Sequence, residues 1–219
     1  MPRIIIICEG PTEREFCIDV LQPYFSAKDI YLNSPLIKKS GGGIVSWSNL
    51  KKQIENHLKS ERGVYVTTLI DYYGIEEKHQ YPQWAEAHRI SHKPDRLKFL
   101  EEAMLNQIDD GLRRRYIPYI QLHEYESLLF SDNNAFTRNF LQTEFRNKQA
   151  FDNIFTEFPN PEDINLGQTT APSKRLLHHI VGYDKVVYGS ILAYEIGILL
   201  LRNKCPRFND WLTKLEELQ

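Results

Sequence analysis

Four consecutive isoleucines and a cysteine, Ile4 to Cys8, constrain this chain more than any other stretch. A β-branched run without polar alternation suits a strand covered on both faces, and that burial is characteristic of a parallel sheet flanked by helices. Gly10 and Pro11 end the run. Thr12, with Glu15 three residues later, has the form of a capping box, and predicts a helix continuing through Phe16, Val20 and Leu21. The first unit is therefore strand, tight turn, helix. Two carboxylates, Glu9 and Glu13, follow directly on the apolar run.

The pattern recurs along the chain. A short strand is expected over Ile30 to Ile37, then a turn at Gly41-Gly42-Gly43, then a helix over Ser48 to Leu58 with Leu50, Ile54 and Leu58 on one stripe. Val64 to Ile70 is a clearer β-branched strand and runs straight into Asp71. Residues 72–93 read as an irregular aromatic excursion, holding one Trp and three Tyr. A helix is predicted from Pro94 through Ile108, and a strand over Tyr116 to Leu122 with Pro118 near its start or on an edge. His123, Glu124 and Glu126 follow that strand. The rest predicts helices at about 124–130, 134–145, 149–158, 173–181, 184–202 and 209–218, with Gly182 stopping the fourth. The apolar residues of 186–201 run nearly all round the predicted long helix, which is therefore expected to be buried. The fold class is α/β: a mostly parallel sheet flanked by helices over residues 1–132, with a helical extension over 133–219 packed on it.

Composition narrows the function classes. Lys plus Arg total 27 against 29 for Asp plus Glu, a formal charge of −2, so no global basic field draws in nucleic acid and any polyanion must be held locally. The three cysteines, Cys8, Cys17 and Cys205, lack metal-ligand or disulfide-framework spacing and fit small buried hydrophobes in a reducing cytoplasm. No secretion signal is read at the N-terminus. The apolar segment 186–201 contains Glu195 and falls short of the roughly 20 residues a span needs, so no membrane partner is expected.

Ligands bind such sheets at the carboxyl ends of the strands. Glu9, Asp71 and Glu124 each follow a different predicted strand, so three acids distant in sequence are expected on one edge. Clustered carboxylates raise one another's pKa unless a cation sits among them, and hard oxygen donors favour Mg²⁺ or Mn²⁺. One helical turn separates Glu9 from Glu13, which lets both face one ion. Glu126 is a further ligand candidate. His123 reads as a general base, a ligand, or a packed ring. Lys174 and Arg175 put two cations in the first turn of a helix, where the dipole disfavours them, and this points to phosphate contact. Arg113, Arg114 and Arg115 read as a solvated helix end. His88 and His92 have i, i+4 spacing without the acid of a zinc-protease motif between them. No aromatic platform or base-reading motif stands out, so DNA and RNA stay equally open.

With EGPTE after the first strand and Asp71 after a later one, the front half resembles the Toprim domain of topoisomerases, primases and the overcoming-lysogenisation-defect nucleases. That resemblance implies a glutamate, Glu9, and an aspartate, Asp71, as catalytic metal ligands. The second aspartate of the Toprim pair is replaced here by Tyr73, so the missing ligand falls to His123, Glu124 or Glu126. Through EGPTE, TLIDYYG, YIQLHEYESLLF, TAPSKRL and KCPRFNDWL, the whole chain resembles a bacterial family known as domain of unknown function 4276. What this implies is a Toprim-like fold, a nuclease role with Mg²⁺ or Mn²⁺, and phage-defence modules in which a partner ATPase works beside the protein. Two other readings stay open: a non-catalytic subunit that regulates an ATPase, and a different metal-dependent phosphoryl transfer.

Overall fold

The computed structural model describes residues 2–38, 43–165, 167 and 170–218. Strand β1 (Arg3–Cys8) lies between two apolar layers, with Ile4, Ile6 and Cys8 in one core and Ile5 and Ile7 in the other. This two-sided burial is why the run needs no polar alternation. β1 pairs in parallel with β2 (Tyr31–Asn33) and β3 (Val64–Asp71). β3 pairs in parallel with β4 (Tyr116–Ile117) and with β5 (Ile120–Gln121). Among the described residues the sheet has five strands in the order β2-β1-β3-β4, with β5 also beside β3.

Two predicted strands are shorter than expected. The Tyr116 to Leu122 strand is split because Pro118 has no N–H for the ladder. Thr68 bridges the gap: its hydroxyl donates to the Tyr119 carbonyl at 2.7 Å and accepts the Tyr119 N–H at 3.2 Å. The strand expected over Ile30 to Ile37 narrows to β2, with Leu36 making a separate bridge to Cys8. The glycine turn expected next falls partly at Gly41 and Gly42, which lie outside the described residues.

Helix α1 (Pro11–Phe16) does not use the capping box expected of Thr12 and Glu15. Pro11 takes the first helical position, where a missing N–H costs nothing, and Gly10 becomes the extended cap. Glu13 then stands where its Oε2 accepts the Gly10 N–H at 2.8 Å. The helix loosens into a π-turn at Cys17–Leu21, ahead of Pro23, and resumes as α2 (Gln22–Ser26). α3 (Trp47–Ser60) buries Leu50, Ile54 and Leu58, as its stripe predicts. The aromatic excursion contains the short α4 (Trp84–Ala87), followed by α5 (Lys93–Gln107) and α6 (Asp110–Arg113). After β5 comes a 3₁₀ segment, Tyr125–Ser131, and then α7 (Asn133–Asn139), α8 (Lys148–Glu157), α9 (Pro172–His179), α10 (Lys185–Ile196), α11 (Ile198–Lys204) and α12 (Pro206–Glu216).

The helical half covers the sheet face opposite α3 and α5. From α12, Trp211 stacks on Tyr119 with centroids 4.4 Å apart and donates its indole N–H to Thr67 at 2.9 Å. The expectation of one long, wholly buried helix over 184–202 is corrected. Gly197, at φ +80°, separates α10 from α11, which bend by 88°. Leu192, Ile196 and Leu201 reach the core, but Val186, Val187 and Ile191 face outward and Leu199 is 75% exposed. No single helix among the described residues is long and apolar enough to cross a membrane; α10 and α11 meet that test only as a bent pair.

Candidate functional site: an acidic centre at the strand ends

Because β1, β3 and β5 run parallel, the segments leaving them emerge on one edge. The acid of one segment caps a backbone amide of the next there. Glu9 leaves β1 with its N–H on the Leu69 carbonyl at 3.1 Å, and its Oε2 accepts the Asp71 N–H at 2.9 Å. Asp71 ends β3, and its Oδ1 accepts the Tyr125 N–H at 3.0 Å. Gly74 passes so close to Glu9 that a Cβ there would stand 3.2 Å from Glu9 Oε1. Glu124 accepts both the backbone N–H and the hydroxyl of Ser173, at 2.9 and 3.0 Å, which docks the first turn of α9 on this edge.

The acids sense one another. Burial, then repulsion from Glu13, Glu9, Glu126 and Glu124, pushes Asp71 well above the usual carboxylate range. Glu126, only 3% exposed, is raised to about 7 by burial and by Glu124, with Lys185 and a backbone hydrogen bond opposing. Lys185 opens α10, where Asp184 accepts the Val186 and Val187 N–H groups at 2.9 and 3.0 Å. Although burial disfavours its charge, Glu126, Glu13, Asp71 and Glu124 together hold its pKa up. Gly189 lets α10 reach this position, since a Cβ there would stand 2.8 Å from Thr12 Cγ2, and Tyr125 donates its hydroxyl to the Gly189 carbonyl at 2.9 Å.

Five expected acids, Glu9, Glu13, Asp71, Glu124 and Glu126, thus share one electrostatic neighbourhood. His123 adjoins them with a different role. Its backbone is left-handed at φ +72°, and its ring is pushed down to about 4 by burial and by Lys93, while a hydrogen bond to the Glu162 backbone works the other way. Lys174 lies exposed on α9. Arg175 turns away from the acids: its guanidinium donates to the Thr170 and Ile164 carbonyls at 3.0 and 3.3 Å and lies over the Phe158 ring. Arg115 is no solvated end, since it donates to the carbonyls of Leu58, Glu61 and Val64 at the opposite end of β3. The cation that sequence reasoning missed is Lys185. Its signal was present, because it too is a cation in the first turn of a helix.

The donor set is all carboxylate oxygen, which suits a hard divalent cation in kind. As they stand, no three His, Cys, Asp or Glu side chains among the described residues are arranged to hold a metal ion. Glu9, Glu13, Asp71 and Glu124 each spend at least one oxygen on a backbone amide. The family model for a domain of unknown function (DUF4276) matches residues 8–216, and the chain belongs to that family. No curated protein and no solved structure matches it.

Proposed function

We propose that the chain is a Mg²⁺- or Mn²⁺-dependent nuclease of Toprim-like design that hydrolyses phosphodiester bonds in the cytoplasm, as the nuclease of a phage-defence module with a partner ATPase. The observation that carries this reading is the convergence of Glu9, Glu13, Asp71, Glu124 and Glu126, from segments far apart in sequence, with Lys185 as their cationic neighbour. So much like charge is costly unless a cation joins it. Glu9, Glu13 and Asp71 would hold that cation, and Glu124 and Glu126 would complete its ligand set. A divalent ion bound there supplies charge neutralisation at a phosphate oxygen and a water of lowered pKa. Lys185 binds a non-bridging phosphate oxygen, the role that the sequence suggests for Lys174 and Arg175. The chain's charge of −2 gives a polyanion little general attraction, which is why an ATPase that presents the substrate belongs in the proposal.

A second reading, a non-catalytic subunit that regulates an ATPase, draws on the acids' service as backbone caps. Cleavage assays separate the two. Purified protein is incubated with DNA and RNA in Mn²⁺, and wild type is compared with Asp71→Asn, which keeps an oxygen for the Tyr125 N–H. Nuclease action predicts cleavage by wild type and loss of at least about a hundredfold in the variant, since even outer-shell partners cost up to that much. Cleavage that is equal in both contradicts the nuclease reading, and so does its absence at protein concentrations high enough to saturate the substrate without the ATPase.

A further inference from the structure

Beside the acidic centre lies a cavity of about 360 Å³, within the usual size of ligand pockets, whose walls include Tyr72, Tyr73, Trp84, His88, Lys93 and His123. Its aromatic rings form a cluster: Trp84 and His88 have centroids 4.2 Å apart, and Tyr72 stands 6.0 Å from Trp84 and 6.5 Å from His88. Arg96 donates to the Tyr72 hydroxyl at 3.1 Å and fixes that ring. Tyr73 is 38% exposed. Lys93 donates to the Asn165 carbonyl at 2.7 Å, which holds a cation in the wall.

The cavity is joined to the acids by the chain itself. Tyr72 and Tyr73 follow Asp71 directly, and His123 directly precedes Glu124. The Tyr73 N–H donates to the His123 carbonyl at 3.0 Å, so the two walls are fastened to each other. One peptide step, about 3.8 Å, separates the cavity wall from the carboxylate-bearing residue on either side. Folding makes this cluster, since Tyr72, Trp84 and His88 show no stacking pattern in the sequence.

We propose that this cavity is a nucleobase subsite of the acidic centre, taking one unpaired base by stacking while its phosphate lies at the acids, so that the substrate is single-stranded nucleic acid. The proposal rests on the nuclease reading. Aromatic walls with a few polar groups suit the π-face of a base, and stacking tolerates any base identity. A base inside a duplex presents no such face, so only an unpaired or extruded nucleotide fits.

The test is a fluorescence and anisotropy titration of a short single-stranded oligonucleotide, and of the duplex of the same sequence, with Ca²⁺ in place of Mg²⁺ or Mn²⁺, so that the acids are neutralised by an oxygen-loving cation while the strand is kept whole. Of the three tryptophans, Trp47 and Trp211 are buried, which leaves Trp84 as the reporter. The single strand should quench wild-type fluorescence. The quench should vanish in Trp84→Phe while anisotropy still reports binding, because phenylalanine also stacks. Tyr73→Ala should bind the strand about tenfold more weakly with an unchanged melting temperature, and the duplex should bind about tenfold more weakly than the strand. Equal affinity for strand and duplex, a quench that survives Trp84→Phe, full affinity in Tyr73→Ala, or no binding of either form overturns the proposal. Cleavage of the same strands in Mn²⁺ reports on the nuclease reading separately. Cleavage with an unchanged KM in Tyr73→Ala removes the base subsite and leaves the nuclease. Aromatic-dependent binding without cleavage removes the nuclease and leaves a base-binding cavity.

Discussion

Glu126 and His123 sit three residues apart and respond to pH in opposite directions. Glu126 has a folded-state pKa of about 7 against an ordinary 4.5, so its contribution to stability is whole below about pH 4.5 and lost as pH rises through 7. Ionising it in the metal-free protein costs about 3 kcal/mol at 1.36 kcal/mol per unit. Glu126→Gln is therefore expected to melt several degrees above wild type at pH 8, and no higher at pH 4.5, by thermal denaturation followed by circular dichroism. The same gain at both pH values would mean that ionisation is not the cause. His123 is depressed to about 4 from 6.5, so its contribution is whole above about pH 6.5 and lost as pH falls through 4. His123→Asn should lessen acid sensitivity over that window, because asparagine tolerates the left-handed backbone and does not titrate. Melting curves from pH 7 down to pH 4 check this, and a variant as acid-sensitive as wild type would count against it.

At the scale of elements, the approach of α10 to α1 decides whether Lys185 reaches the acids. Gly189 makes that approach possible, since a Cβ would meet Thr12 Cγ2 at 2.8 Å and Tyr125 Cε1 at 3.3 Å. Gly189→Ala is expected to cost about 1–3 kcal/mol through overpacking, despite alanine's better helix propensity. Adding Thr12→Ser removes the methyl in the way and should recover much of the loss; chemical denaturation of the single and double variants measures both. No recovery would place the conflict elsewhere. The elements also show where sequence reading reaches its limit. Ile4 to Cys8 and Val64 to Ile70 were legible as buried parallel strands because each is a continuous, local apolar run, and so were the acids at their ends. Pro118 marked an edge or a strand start, but only the Thr68 contacts reveal that it splits a strand. Gly197 was visible inside the apolar run, yet its positive φ and the 88° bend depend on what α11 packs against. The partners of Arg175 and Lys185 are set by contacts distant in sequence, so their side-chain directions could not be read from spacing.

For the whole molecule, the two sheet faces carry separate cores, and the helical half supplies much of one of them. Trp211, buried between Tyr119 and Phe208 and bonded to Thr67, ties the last helix to the centre of the sheet. Trp211→Ala is expected to cost about 3–5 kcal/mol and to lower the melting of the whole chain in one transition. Two separate transitions would show that the halves unfold independently. The sheet in turn brings Glu9, Asp71 and Glu124 to one edge, and the function proposed depends on that edge binding a divalent cation. Calorimetric titration of Mn²⁺ into wild type, Glu9→Gln and Asp71→Asn, each first shown to be folded, addresses this most directly. The account predicts saturable binding in wild type that is lost or at least about tenfold weaker in both variants, with protons released below pH 7 as the cation displaces them from the raised carboxyls. Equal binding in all three proteins, or none in wild type, would contradict it.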